Sequence, residues 1–276
     1  MTEVAHHIDD VCRSFQANDD RLNQIMTAAV RHLHAFAAEV QLTHDEWMAG
    51  IRFLTAVGRR CDDVRQEFIL LSDTLGLSML LERIQSTPGP EEGNHGSATE
   101  ATESTVLGPF YVEGCAQVEN GASIVADPDT GGEPLTVRGV VRGPDGGPVA
   151  GAAVEVWQVQ PDGRYDVETE PGKRNLRARL RTDADGGFWF RTVRPVDYTI
   201  PVDGPVGEML RATGRHPWRP AHIHFSISAP GHRPLVTHLF DAASPHLDGD
   251  TVFAVHPSLV RPMDGTCEAE FVLPTA

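Results

Sequence analysis

Apolar side chains recur along the first part of the chain at Leu22, Ile25, Met26, Ala29, Val30, Leu33, Phe36, Ala37 and Val40. Steps of three and four residues put them on one side of an α-helix. Thr43 followed by Glu46 is the pairing in which two side chains cap a helix start, and Trp47, Ile51, Leu54 and Val57 carry a second helical face. A third apolar segment covers Val64–Leu71 and extends through Leu75 to Ile84. These helices are too few and too mixed to make a bundle by themselves, so they are expected to pack on the rest of the chain or on a second copy. Residues Ser86–Thr99, rich in Gly, Pro, Ser and Glu, predict a linker or surface loop.

The period then changes. Short β-branched segments follow at Leu135–Val141, Val154–Val159, Ala178–Arg181, Phe188–Val193, Ala221–Ile227, Leu235–Phe240 and Glu268–Leu273. Turn sequences such as Pro144-Asp145-Gly146-Gly147 and Asp183-Ala184-Asp185-Gly186-Gly187 separate them. Short strands with frequent turns predict an antiparallel sandwich or barrel. The expected class is therefore mixed, mainly β: a helical amino-terminal region with its linker over 1–99, then a β-sandwich domain over 100–276.

Charge and cysteine usage narrow the partners. A net charge of −16 disfavours phosphate backbones and anionic lipid surfaces, so neither nucleic acid nor membrane is expected as a partner. Cys12, Cys61, Cys115 and Cys267 are scattered without a CxxC pair, which argues against a thiolate zinc site or a disulfide framework. Met1–Asp10 lacks an apolar signal core and no run approaches membrane-spanning length, so a cytoplasmic protein is expected. Asp127-Pro128-Asp129 and Asp183-Ala184-Asp185 open like calcium loops, but position twelve is Arg138 or Arg194, so both are turns.

His222-Ile223-His224, inside a strand pattern, carries the strongest chemical signal. Residues two apart on a strand share a face, so both imidazoles can reach one ion. Two ordinary polar residues on a solvated face fit the same pattern. The chain has three tyrosines, and Tyr165 and Tyr198 sit at loop or strand ends, in Asp162-Gly163-Arg164-Tyr165 and Asp197-Tyr198-Thr199-Ile200-Pro201. Each taken alone fits a half-buried ring with its hydroxyl in water.

Taken in order, Gly163-Arg164-Tyr165, Asp197-Tyr198-Thr199-Ile200-Pro201 and His216-Pro217-Trp218-Arg219-Pro220-Ala221-His222-Ile223-His224-Phe225 resemble the intradiol ring-cleavage dioxygenases that act on catechol and hydroxyquinol. Phe68-Ile69-Leu70-Leu71-Ser72-Asp73-Thr74-Leu75-Gly76 and Glu103-Ser104-Thr105-Val106-Leu107-Gly108-Pro109-Phe110 are similar to the same family. The resemblance covers most of the chain from about residue 20.

That resemblance implies one Fe(III) per chain, held by Tyr165, Tyr198, His222 and His224 with a hydroxide. Phenolates are hard donors that favour the ferric state. It implies that a diol binds through adjacent hydroxyls, that Tyr198 departs from the metal and takes a proton, and that the ring then attacks O2 to give a muconate-type diacid. Arg219 matches the family arginine that stabilises charge on the ring. His238, in Thr237-His238-Leu239-Phe240, replaces the glutamine of many catechol-cleaving members and is expected to hydrogen-bond a ligand or the hydroxide. The implied pocket is lined by Leu75, Val106, Gly108, Pro109, Phe110, Ile200, Pro201 and Val252, with Ser78 as a further contact.

The wording around His238 and Val106–Phe110 favours benzene-1,2,4-triol as substrate, with catechol the alternative. The amphipathic helices suggest a homodimer. Two other classes compete: a zinc or ferrous enzyme using the same histidine pair with a carboxylate, and a non-enzymatic β-sandwich binding module.

Overall fold

In the computed structural model, which describes residues 3–62, 65–86, 100–169, 172 and 174–276, the chain opens with α1 (Glu3–Arg13), a helix that the polar character of its sequence did not announce. Asp19 then starts α2 (Asp20–Glu39) by accepting the backbone N–H groups of Arg21 and Leu22 at 2.8 and 3.2 Å. The expected cap before α3 (His44–Arg60) is present. Glu46 accepts the Thr43 N–H at 2.9 Å, and Thr43 Oγ1 accepts the Glu46 N–H at 3.3 Å.

The third apolar segment is two helices, α4 (Glu67–Thr74) and α5 (Leu77–Ser86), because Gly76 between them adopts φ +75°. A side chain there would be strained and would also crowd the Phe253 ring. Val64 and the linker beyond Ser86 lie outside the described residues. The chain divides into two compact units, Met1–Arg59 and Arg60–Ala276, so α4 and α5 group with the strands. No described helix is long and apolar enough to cross a membrane. All four cysteines are free thiols.

Two sheets form the body of the second unit. One has the order β10 (Thr266–Val272), β1 (Pro134–Arg142), β4 (Gly187–Val193). The other has the order β3 (Arg177–Arg181), β2 (Ala153–Gln158), β7 (His222–Ser228), β8 (Leu235–Asp241), β9 (Val260–Arg261). Each strand foreseen in the sequence is present within two residues at either end. Most pairings are antiparallel, but β1 runs parallel to β10 and β8 parallel to β9. A small ribbon, β5 (Tyr198–Thr199) with β6 (Trp218–Arg219), and a helix α6 (Pro205–Ala212) are additions that the strand pattern did not contain.

The core lies between the sheets. Val137 and Val141, Phe188 and Phe190, and Cys267 and Phe271 meet Val154 and Val156, Ala178 and Leu180, Ile223, Phe225 and Ile227, and Leu235 and Leu239. Because strand side chains alternate, the opposite face of the five-stranded sheet carries Trp157, Arg177, His222, His224 and His238. All five are buried as well. A polar face that is nevertheless sealed from water marks the place to look for chemistry.

Gly139 of β1 stands directly opposite Phe188 of β4, and a Cβ there would overlap the ring. Gly139→Ala is expected to lower stability by about 1–3 kcal/mol through overpacking. A urea midpoint unchanged from wild type would contradict this packing.

Candidate metal centre

Three histidines meet across neighbouring strands. His222 and His224 project from the same face of β7, and His238 of β8 is the cross-strand partner of His224. One nitrogen from each lies within 4.8 Å of the other two. The ring of His222 is fixed from behind: its Nδ1 donates to the Pro220 carbonyl at 2.6 Å, which turns Nε2 and its lone pair inward. His224 is held by stacking on Trp157, with centroids 4.6 Å apart and planes at 15°. His238 Nδ1 is 2.6 Å from Thr105 Oγ1, so its Nε2 is also the inward atom.

Two phenols close the group. A tight turn, with the Gly163 N–H donating to Gln160 O and the Gln160 N–H to Arg164 O, brings the chain round to Tyr165. Gly163 takes φ +83° there. Tyr165 is fully buried, and its Oη lies 2.9 Å from His224 Nε2 and 3.3 Å from Tyr198 Oη. Tyr198 is delivered by β5, where it pairs in register with Arg219. Arg219 Nη1 reaches Tyr198 Oη and His222 Nε2, each at 3.4 Å. Asp250 fixes the guanidinium through contacts of 3.1 and 3.3 Å, while accepting the N–H groups of Val252 and Ala254.

The arrangement fits a cation. Metal bonds of ~2 Å place neighbouring donors roughly 2.8–3.3 Å apart, and the contacts among these donors run from 2.9 to 3.3 Å. With its proton on Nδ1, His222 points a lone pair at His224 Nε2 only 3.2 Å away. His224 Nε2 faces the Tyr165 hydroxyl as well, and His238 Nε2 and His224 Nδ1 are buried with no hydrogen-bond partner among the described residues. Buried ring nitrogens without a partner are unfavourable unless a ligand or a positive centre meets them. The donor set, phenol oxygen and imidazole nitrogen, suits an iron of the harder, ferric kind better than zinc.

The electrostatics of the imidazoles agree, whereas the two phenols are held in their protonated form unless a cation draws the proton off. Burial pushes all three imidazoles well below the ordinary histidine pKa, and the Arg219 charge adds to it. Neutral imidazole is the form that ligates. Burial raises both phenols, Tyr165 far above its usual value and further through Tyr198; Arg219 pulls both back. Burial also works against the Arg219 charge, but Asp250 and the phenols outweigh it and raise its pKa.

The expected lining residues divide. Tyr198, Ile200 and Pro201 border a cleft of about 630 Å³ together with Arg65, Glu168 and Trp218. Gly108 approaches His224, where an added Cβ would lie 3.4 Å from Cε1, and Phe110 stacks on Tyr165 with centroids 4.4 Å apart. Val106 is buried, and Pro109 is half-buried between Gly108 and Phe110. Val252 is buried on the Asp250 turn that holds Arg219. Leu75 caps α4 and is 62% exposed. Ser78 is turned toward α4, with its Oγ 2.9 Å from that of Ser72. A second cavity of about 520 Å³, beside Arg83, His216 and Phe253, contains none of the donor side chains.

Thr105, Asp250, Asp166, Arg177 and Asp73, which contact or border the donor side chains, were not singled out by the sequence pattern. Thr105 and Asp73 sit inside quoted motifs without a distinguishing pattern. The others act through turns and cross-strand register, which spacing alone does not reveal. Asp73 is a buried carboxyl whose pKa burial raises, while Ser78 and Arg219 pull it down.

The model of the family "Dioxygenase" matches residues 106–273, and that of "Catechol dioxygenase N terminus" matches residues 19–92. The chain is 52% identical over 268 residues to a 6-chlorohydroxyquinol 1,2-dioxygenase of Cupriavidus pinatubonensis, covering 95% of this chain and 92% of that one. It is 49% identical to a hydroxyquinol 1,2-dioxygenase of Nocardioides simplex, covering 92% and 83%. The solved structure of a hydroxyquinol 1,2-dioxygenase from Pseudomonas putida superposes with a TM-score of 0.88 at 45% identity, covering 99% of each chain.

The lowered imidazole pKa values have a consequence for the chelator-treated protein. An unfolded histidine takes up a proton near pH ~6.5, whereas these three stay neutral when folded. Below that pH the unfolded chain binds more protons, so stability falls as pH drops from ~6.5 toward the folded values. Each histidine contributes up to ~1.4 kcal/mol per pH unit. In His238→Gln the urea midpoint is expected to decline less steeply between pH 7 and 5. An identical slope would show that His238 titrates normally.

Proposed function

The chain belongs to the intradiol ring-cleavage dioxygenases, and from that premise we propose that it opens benzene-1,2,4-triol between its adjacent hydroxyls, using one Fe(III) per chain held by Tyr165, Tyr198, His222 and His224. The observation that carries this reading is a chain of contacts of 2.9–3.3 Å, from Tyr198 to Tyr165 to His224 to His222, that links two phenol oxygens and two imidazole nitrogens in a buried site. The preference for the triol is supported by the relatives named for hydroxyquinol and its 6-chloro derivative. Both atoms of O2 enter the product, 3-hydroxy-cis,cis-muconate, the enol form of maleylacetate.

Bound ferric iron would supply a Lewis acid that draws electron density from a coordinated diolate. The protein's own groups do the rest. Tyr198 is the phenol that borders the cleft, whereas Tyr165 is fully enclosed. Tyr198 Oη is therefore the atom that accepts a substrate proton, and Arg219 Nη1 at 3.4 Å holds it in place. Tyr165, locked against Phe110, keeps its position throughout. Arg219 is a fixed, buried cation beside the reacting ring, ready to stabilise negative charge that develops there, and Asp250 spares it from reorganising. His238, pinned by Thr105, offers its free Nε2 to a group at the metal. Ile200 and Pro201 supply the apolar wall.

Oxygen uptake by iron-loaded protein tests this directly. The triol should be consumed one-for-one with O2, with kcat/KM at least about tenfold above that for catechol. Arg219→Lys, which cannot keep the forked contact with Asp250, should lower kcat by about 10²-fold. Preference for catechol would move the substrate assignment to that diol. No uptake with either would sink the reading.

We also propose that the chain pairs with a second copy through the apolar stripe of α2. Leu22, Ile25, Leu33 and Phe36 are between 46% and 65% exposed, and no residue of that helix is buried. Light scattering at micromolar concentration should give twice the 30.0 kDa chain mass, and a monomeric mass would refute the pairing.

A further inference from the structure

Tyr165 is followed by Asp166, and Asp166 is paired with Arg177 of β3 in a fully enclosed contact, both side chains being 2% exposed. The carboxylate is saturated. It accepts the N–H groups of Val167 at 2.9 Å and Asn175 at 3.1 Å, Arg177 Nε at 2.7 Å, and Arg177 Nη2. The remaining arm of the guanidinium, Nη1, donates to the Phe110 carbonyl at 3.2 Å. Phe110 in turn lies flat on Tyr165, with ring planes 20° apart. One side chain thus ties the turn that carries a phenol donor to the segment that covers the site.

That segment is fixed at its other end as well. Thr105 N–H donates to Val236 O at 2.9 Å, and Thr105 Oγ1 contacts His238 Nδ1. Between the two anchors, Gly108 at φ +75° passes close over His224. Residues 105–110 therefore form a strap across the donors, pinned at each end to a side chain that either is a donor or sits beside one. A buried ion pair is weak support for stability in general, since apolar replacements of similar volume often serve as well. Here all three nitrogens of the fork are engaged, two by Asp166 and one by the Phe110 carbonyl, which points to a role in placement.

Resting on the iron-ligand assignment above, we infer that Arg177 and Asp166 are positioning residues: they set the placement of the Tyr165 phenol and of the Phe110 wall together, so that substrate fit and the metal's donor geometry are coupled through one guanidinium. Lysine cannot replace it, because a single ammonium cannot span both Asp166 and the Phe110 carbonyl in the same geometry.

The test uses full-length, iron-loaded protein with Arg177→Lys and with the double variant Asp166→Asn/Arg177→Met, which leaves no unpaired buried charge. The readouts are the visible phenolate-to-iron band, KM and kcat for benzene-1,2,4-triol, and iron content. Both variants should keep iron, shift the band, and raise KM about tenfold while kcat stays within about threefold. If the double variant does not fold, the lysine variant decides alone. Folded variants with the wild-type band and wild-type KM would overturn the inference and leave the pair a purely structural one. A wild-type protein that binds iron without any such band would instead sink the ligand assignment, and this inference with it.

Discussion

The site depends on four donor atoms, two phenol oxygens and two imidazole nitrogens, each held within hydrogen-bond distance of the next in a buried cluster. Two imidazole nitrogens face each other at 3.2 Å, a phenol oxygen lies 2.9 Å from one of them, and a second phenol lies 3.3 Å from the first. Each of the four side chains is no more than 6% exposed, and Tyr198 alone of them borders the cleft. In so dry a place, a buried polar atom without a partner is costly, and His224 Nδ1 and His238 Nε2 have none among the described residues. Arg219 contributes one positive charge at the edge, but Asp250 already holds it. A cation among the donors would give the inward imidazole lone pairs a partner, and the fixed positions of the donors would then favour one cation over another.

Those positions come from the sheet. Alternation sends Ile223 and Phe225 into the sandwich core and His222 and His224 to the other face. Antiparallel pairing sets His238 beside His224, and pairing of β2 with β7 sets Trp157 against the same ring. The two-residue ribbon β5–β6 brings Tyr198 opposite Arg219. The geometry is therefore carried by regular hydrogen-bonded register, and loops complete it: the Tyr165 turn, the strap 105–110 and the Asp250 turn. Catalytic groups on such a frame keep their placement without reorganising, which is the condition for strong electrostatic stabilisation.

Much of this could be read from the sequence because strands advertise themselves by alternation. The seven principal strands emerged from β-branched runs and turn residues, and the histidine pair from its two-residue spacing. The helices α2 and α3 were visible through their apolar stripes and the Thr43–Glu46 cap. What remained hidden depends on contacts between distant segments. The break at Gly76 reflects a backbone angle, and the parallel pairing of β1 with β10 joins residues far apart in the chain. Asp250 and Arg177 are ordinary charged residues until the fold sets them beside Arg219 and Tyr165.

The claim on which the rest stands is that one ion joins these four side chains, and anomalous diffraction at the iron absorption edge from crystals of the iron-loaded protein tests it most directly. The account predicts a single anomalous peak per chain within bonding distance of Tyr165 Oη, Tyr198 Oη, His222 Nε2 and His224 Nε2. A peak elsewhere, or one bonded to the three histidines with both phenols turned away, would contradict it.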